Sequence, residues 1–193
     1  MAQETVRVTL ETTPRAPTVG AEGDLILRVA QGDRAAFQAL FARHESYVFW
    51  LVRRLAGSRV DADDLSQEVW LRVYSRARQF SGGEAFRGWL RTIVIRCCLD
   101  LRRRRHARGE DRVETTAGEP PPTRPAPALL RLDLERGLAA LPEESRQVVV
   151  LHDVEGMGHA EIARALGISE EASRSRLSRA RRTLRERLGG TTR

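Results

Sequence analysis

The sequence predicts an all-α protein: two small helical domains joined by a proline-rich linker. Three observations carry that prediction. Apolar residues recur at spacings of three and four along most of the chain, while strand-like alternation is nearly absent. Gly, Ser and Asp stand where these runs start and stop. Five of the eight prolines fall between His106 and Ala128, where no helical period survives. The expected division is a disordered extension over 1–22, a helical domain over 23–105, a flexible linker over 106–128, a second helical domain over 129–188 and a disordered tail over 189–193.

The elements follow in order. "DLILRVAQGD" reads as a short helix with Asp24 as N-cap and Gly32 as its stop. Asp33 caps a longer helix, in which Phe37, Leu40, Phe41, His44, Val48, Val52 and Leu55 form one buried stripe and Gly57 ends the run. "DADDLSQEVWLRVY", Asp61 to Tyr74, opens the third helix, and "SGG" at 81–83 breaks it. A fourth runs from about Glu84 to Arg105, with Phe86, Leu90, Ile93, Val94, Cys97 and Leu101 inward. Beyond the linker, Pro142 and two glutamates mark a helix start. Proline lacks the N–H that a first turn leaves unpaired, and carboxylates suit the positive helix end. "VVVL" at 148–151 continues that helical pattern. In "GHAEIARALGISEEASRSRLSRARRTLRERL", a helix from His159 to Leu166 points Ile162 and Leu166 inward. Gly167 supplies a tight turn, Ile168 plugs the angle and Ser169 caps the last helix. That helix lines up Ser173, Leu177, Ala180, Leu184 and Leu188 on one face.

Composition narrows the function. The chain has 193 residues and a formal charge of +7, and all 33 basic residues are arginine. With an isoelectric point near 10.9, this balance points to a polyanionic partner. The longest apolar run, Tyr47 to Val52, is far too short to span a bilayer, and the first residues lack the apolar core of a signal peptide. No membrane association is expected, and a cytoplasmic location follows. Cys97 and Cys98 are adjacent, so they make no ordinary disulfide, and two thiols are too few for a zinc site. There is no phosphate-binding loop and no Cys/His pairing, and His44, His106, His152 and His159 are scattered. No catalytic residue, metal site or cofactor is expected.

Three surfaces carry candidate chemistry. The last helix and its glycine turn have the logic of a helix-turn-helix. Arg174, Ser175, Ser178 and Arg179 lie near the helix start, where small side chains let the helix sit deep in a groove and arginine reaches base edges and phosphates. Arg182 and Arg185 suit backbone contact. On the third helix, Ala62, Leu65, Val69, Trp70 and Val73 fill the core side at 100° per residue. Asp61, Asp64, Gln67, Glu68 and Leu71 gather opposite, and an exposed leucine among acids suits a protein-docking patch. Glu68 can also pair with Arg72 one turn on. The acids alternatively complement the positive end of their own helix. A Mg²⁺ site for nucleic-acid cleavage would need carboxylates converging from several elements, and these come mostly from one turn. The fourth helix reverses the charge: nine arginines between Arg76 and Arg105 interleave with Phe80, Phe86 and Trp89. That mixture suits single-stranded DNA, although Phe86 and Trp89 fit the core stripe better. Arg102 to Arg105 suit phosphate contact. A stand-alone helix-turn-helix repressor is the competing reading for the whole chain.

These segments resemble the extracytoplasmic-function (group IV) sigma factors of bacterial RNA polymerase. "DADDLSQEVWLRVY" is similar to region 2.2 of that family, "FRGWLRTIVIRCCLDLRRR" to regions 2.3 and 2.4, and "LAALPEESRQVVVLHDVEGMGHAEIARALGIS" with "SRSRLSRARRTLRERL" to region 4. The resemblance implies that region 2.2 docks on the β′ clamp helices of core polymerase through Asp64, Gln67 and Glu68, with Asp61 and Leu71 on the same patch. It implies recognition and melting of the −10 element by the loop from Phe80 to Ala85 and the helix after it, with Phe80, Arg87, Arg91, Arg96, Arg102 and Arg103 as candidates. It implies duplex binding at the −35 element through Arg174, Ser175, Ser178, Arg179 and Arg182. The linker resembles the segment that threads polymerase near the RNA exit path. The implied partners are core RNA polymerase, promoter DNA in duplex and single-stranded form, and an anti-sigma factor. The chain departs from the family where Ala172 and Ser173 replace a usual Thr-Val pair, where Ser178 replaces a larger side chain, and where His159 replaces a frequent aromatic residue. These departures bear on base preference at the −35 site.

Overall fold

The structure, a computed structural model, describes residues 21–56, 59–82, 85–108 and 136–189. The expectations for the first twenty residues, for Gly57, Gly83 and Glu84, for the linker beyond Arg108, for 129–135 and for the last four residues lie outside this range, as do the side chains of Asp61 and Leu188. The described elements are α1 (Ala21–Ala30), α2 (Arg34–Ala56), α3 (Arg59–Arg76), a 3₁₀ turn (Ala77–Gln79), α4 (Phe86–Arg108), a helical stretch at 136–139, α5 (Glu143–Val149), a π-helical turn (Val150–Val154), α6 (His159–Leu166) and α7 (Glu170–Gly189). Among the described residues there is no strand.

Local chemistry explains most of the boundaries. Asp24 does not cap α1: the helix begins at Ala21, and Asp24 joins Glu22 in its first turn, where carboxylates face the positive helix end. Gly32 stops the helix at φ +91°, a left-handed conformation that favours glycine. Asp33 caps α2 by accepting the Ala36 N–H at 3.0 Å, and it also pairs with Arg28 at 2.7 Å. The Ala36 amide and then the Arg28 guanidinium hold its carboxyl below the usual range. Helix α4 continues through Arg108, so the first three residues of the expected linker, 106–108, are helical.

The first domain packs α1, α2, α3 and α4 around one core. Ala62, Leu65, Val69, Trp70 and Val73 are all buried on α3, as their spacing predicts. On α2, Leu40, His44, Val48, Val52 and Leu55 are buried, but Phe41 is 38% exposed and Phe37 only half-buried. Both rings lean toward α3, where Phe37 meets Trp70 edge-on at 5.9 Å. They form a rim beside the core because the stripe is wider than the surface covering it. Cys97 and Cys98 are free and buried on α4, and burial pushes the Cys97 thiol up to about 11.

In the second domain, Val148, Val150, Leu151, Ile162, Leu177 and Ala180 form the buried centre. "VVVL" does not stay α-helical: from Val150 the backbone widens into the π turn, with the Glu155 N–H bonded to the Val150 carbonyl at 3.0 Å. The two domains are also packed together rather than merely tethered. Arg146 and Gln147 on α5 are buried, and they donate to the Arg54 and Leu55 carbonyls at 3.0 and 3.2 Å. Those carbonyls lie in the last turn of α2, so one domain helps to cap a helix of the other.

Candidate partner and nucleic-acid interfaces

The helix-turn-helix is built as its residues require. Glu161 accepts the Gly158 N–H at 2.9 Å at the start of α6. Gly167 takes φ +68°, and the following Ile168 N–H returns to the Ala163 carbonyl at 3.1 Å. Ser169 Oγ then accepts the Ala172 N–H at 3.0 Å, capping α7. Helix α7 buries Ser173, Leu177 and Ala180. Arg174, Ser175, Ser178, Arg179 and Arg182 are all exposed, and at 100° per residue they fall within an arc of about 140°. The −35 candidates therefore share one open face.

Three contacts that sequence reasoning missed hold that face in place. Arg176 pairs with Glu144 of α5 at 2.6 Å. Arg181 donates to the Asp153 carboxylate of the π turn through Nε, at 3.2 Å, and through one Nη. His159 Nδ1 lies 2.9 Å from Ser173 Oγ, and its ring stacks on His152 at 4.8 Å. Burial opposes ionisation of Asp153, but its bonds to Arg181 and His152 outweigh that and hold the carboxyl below the usual range. Each contact joins distant parts of the chain, so no local spacing announces it.

The acid cluster of α3 divides in two. Leu71 is 71% exposed and lines a groove of about 480 Å³ with Phe37, Phe41, Phe49, Trp70 and Tyr74; Glu45, Ser66 and Gln67 complete the wall. The aromatic share of this groove was not expected, since Phe37 and Phe41 read as core. Asp64 and Glu68 instead line a separate cleft toward the end of α4, with Arg104, Arg105 and Arg108. Glu68 pairs with Arg72, as its spacing predicts, and with Arg104 at 2.9 Å, while Arg72 reaches Asp100 at 2.8 Å. Glu68 is thus neutralised within the domain, and Gln67 and Leu71 are left as the face of the groove.

The −10 candidates do not form one open surface. Phe80 is 5% exposed and packs edge-on against Phe86 at 6.3 Å and Trp89 at 5.5 Å. Its ring is a core member rather than a free stacking platform. This corrects its expected accessibility: an aromatic between two loop residues gives no sign in sequence of which way it turns. Arg96 is exposed. Arg103 pairs with Asp100 at 2.9 Å, and Arg102 reaches Glu144 of the second domain at 3.4 Å. Arg87 stacks on the Tyr47 ring at 4.2 Å. Arg87 and Arg91 both face Glu155, whose side chain is 2% exposed. Tyr47 donates to Glu155 Oε2 at 2.9 Å, and Arg91 donates to the Glu155 carbonyl at 3.0 Å. Burial first, and then the Glu155 carboxylate, push the Tyr47 phenol upward. Among the described residues no group of three or more His, Cys, Asp or Glu could hold a metal ion, and no helix is long and apolar enough to cross a membrane.

The described chain is thus a helical domain bearing an apolar groove, followed by a helix-turn-helix with an open Arg/Ser face. The description "Sigma-70 region 2" matches residues 40–108 and "Sigma-70, region 4" matches 131–184. The chain is 38% identical over 168 residues to "ECF RNA polymerase sigma factor SigE" of Mycolicibacterium smegmatis, over 82% of this chain and 65% of that one. It is 35% identical over 169 residues to "ECF RNA polymerase sigma factor SigM" of Mycobacterium tuberculosis, over 88% of this chain and 85% of that one. The solved structure of CnrH in complex with the cytosolic domain of CnrY superposes with a TM-score of 0.57 at 29% identity, covering 90% of this chain and 100% of that one. The chain belongs to the extracytoplasmic-function group of the sigma-70 factors.

Proposed function

We propose that this protein binds core RNA polymerase and directs promoter-specific transcription initiation. Its first domain recognises and melts the −10 element, and its second binds the −35 element as duplex. The observation that carries the reading is the presence, in order on one chain, of both sigma-70 regions, the second ending in the open face of Arg174, Ser175, Ser178, Arg179 and Arg182. The groove around Gln67 and Leu71 is the dock for the β′ clamp helices, because an apolar centre with a polar rim suits a helix laid across it. Asp64 and Glu68, in the neighbouring cleft, add acidic contacts beside the dock, and Asp61 belongs to the same proposed patch. Arg87, Arg91, Arg96, Arg102 and Arg103 supply cations for the −10 strands, and Phe80 supports the helix that presents them. The protein lends specificity to another enzyme's chemistry and is not itself an enzyme; it works in the cytoplasm. CnrH was solved in complex with the cytosolic domain of CnrY, and a protein partner that acts as an anti-sigma factor is part of the proposal for this chain.

Run-off transcription with purified core polymerase on a cognate promoter tests this reading. Discrete transcripts that depend on the protein are expected; repression, or cutting of the template, overturns it. Leu71→Asp should weaken core binding by about 1 kcal/mol or more, by placing a charge in the centre of the dock. The same variant should leave −35 duplex affinity unchanged in a gel-shift titration.

A further inference from the structure

Glu155 is a buried carboxylate whose role none of the surfaces above explains. It sits just after the π turn of the second domain, yet its side chain lies against the first domain, among Tyr47, Arg87 and Arg91. Burying a carboxylate is unfavourable unless it is paired and hydrogen-bonded. Here the pairing is loose. The guanidinium nitrogens lie 3.8 Å and 3.7 Å from the carboxylate oxygens, well beyond the bidentate distance of about 2.8 Å. Oε1 accepts no hydrogen bond at all. Two arginines and a phenol thus surround a carboxylate that only the phenol hydrogen-bonds, while both guanidinium groups stand off from it.

A phosphodiester would fit these donors better. It offers several acceptor oxygens around one charge, and the planar arginine fork matches it bidentately. We infer that Tyr47, Arg87 and Arg91 form a single anion pocket that takes a backbone phosphate of the −10 strand in the open complex, and that Glu155 occupies the same pocket when the two domains are packed together. The same donors cannot serve both anions, so the packed form closes the −10 surface from within. Opening the chain on polymerase removes the carboxylate and frees the pocket. This inference rests on the sigma reading and deepens it by naming the phosphate site and its internal competitor.

The test is fluorescence anisotropy of the free, full-length chain with a 5′-fluorescein-labelled, random-sequence single strand of about 15 nucleotides. Glu155→Gln keeps the side-chain volume and removes the charge, and Glu155→Ala also empties the space. Both should raise affinity by about fivefold or more, and adding Arg87→Ala to Glu155→Ala should abolish the gain. Reconstituted holoenzyme carrying Glu155→Gln should melt promoter DNA like the wild type. Equal affinity of wild type and both variants overturns the competition, and so does a gain that survives Arg87→Ala. In holoenzyme, Arg87→Ala and Arg91→Ala should each impair −10 melting. If both melt normally, the −10 role of these arginines fails and the pocket with it. If they impair melting while Glu155 variants change nothing, the sigma reading stands and only the internal competitor is lost.

Discussion

Arg179 is exposed at one edge of the arc of α7, with Ser175 about 40° from it. Arg179→Ala should cost about 1–3 kcal/mol of −35 duplex affinity, read in a gel-shift titration, because a base-edge fork and its charge are lost together. Periodicity alone places this residue on the exposed side of α7, since the helix that carries it is capped and amphipathic. It does not find Arg176 or Arg181, which look identical in sequence but spend their charge on Glu144 and Asp153. His44 shows the same limit. It reads as one member of an apolar stripe, and the structure buries it against Phe86 within 2.9 Å of Glu22. Burial lowers its pKa; Glu22 opposes the shift, and Arg87 and Arg43 add to it. The unfolded chain takes up this proton near the usual histidine pKa and the folded chain resists it. Stability is therefore full above about pH 6.5 and falls as pH drops below it. His44→Gln should flatten that part of the profile when melting temperature is followed from about pH 7.5 to about pH 5.5.

Elements were legible wherever their ends are decided locally. Gly32, Asp33, Gly167 and Ser169 all act within a turn of their own position, and the structure gives each the expected bond or left-handed φ. Ser169→Ala should lower unfolding free energy by about 1 kcal/mol in urea titration through loss of the α7 cap. Gly167→Ala should cost a similar amount, about 1 kcal/mol, because a Cβ is strained at φ +68° whatever space surrounds it. The start of α1 was misplaced because Asp24 serves a first turn as well as it serves a cap. The π turn was invisible for a different reason. A run of valines and a leucine reads as helix under any nearby period, and the extra residue is accommodated by packing rather than by a turn signal. The groove of α2 and α3 lies between these cases. Leu71 stood out as an exposed apolar side chain, but Phe41 and Phe49 joined it only once the helices were placed.

Sequence composition separates two helical domains but says nothing of how they meet. Arg146 and Gln147 are polar residues in an exposed-looking pattern, and only the assembled chain shows them closing the end of α2. Two domains that share a helix cap should unfold together. Wild-type protein should give one calorimetric transition, and Arg146→Met combined with Gln147→Ala should split it into two by uncapping Arg54 and Leu55. The π turn links this interface to α7. Asp153 within it grips Arg181 of α7, while Glu155 just after it reaches back to Arg87 and Arg91. In an ordinary helix each residue advances about 100°, and removing one residue rotates everything beyond it by that angle. Deleting Val154, the one residue between Asp153 and Glu155, would therefore change the phase between the two acids. It would turn one of them off its arginine while leaving the composition, charge and apolar content of the segment almost untouched. The length of this stretch, rather than its chemistry, keeps the two anchors facing opposite ways.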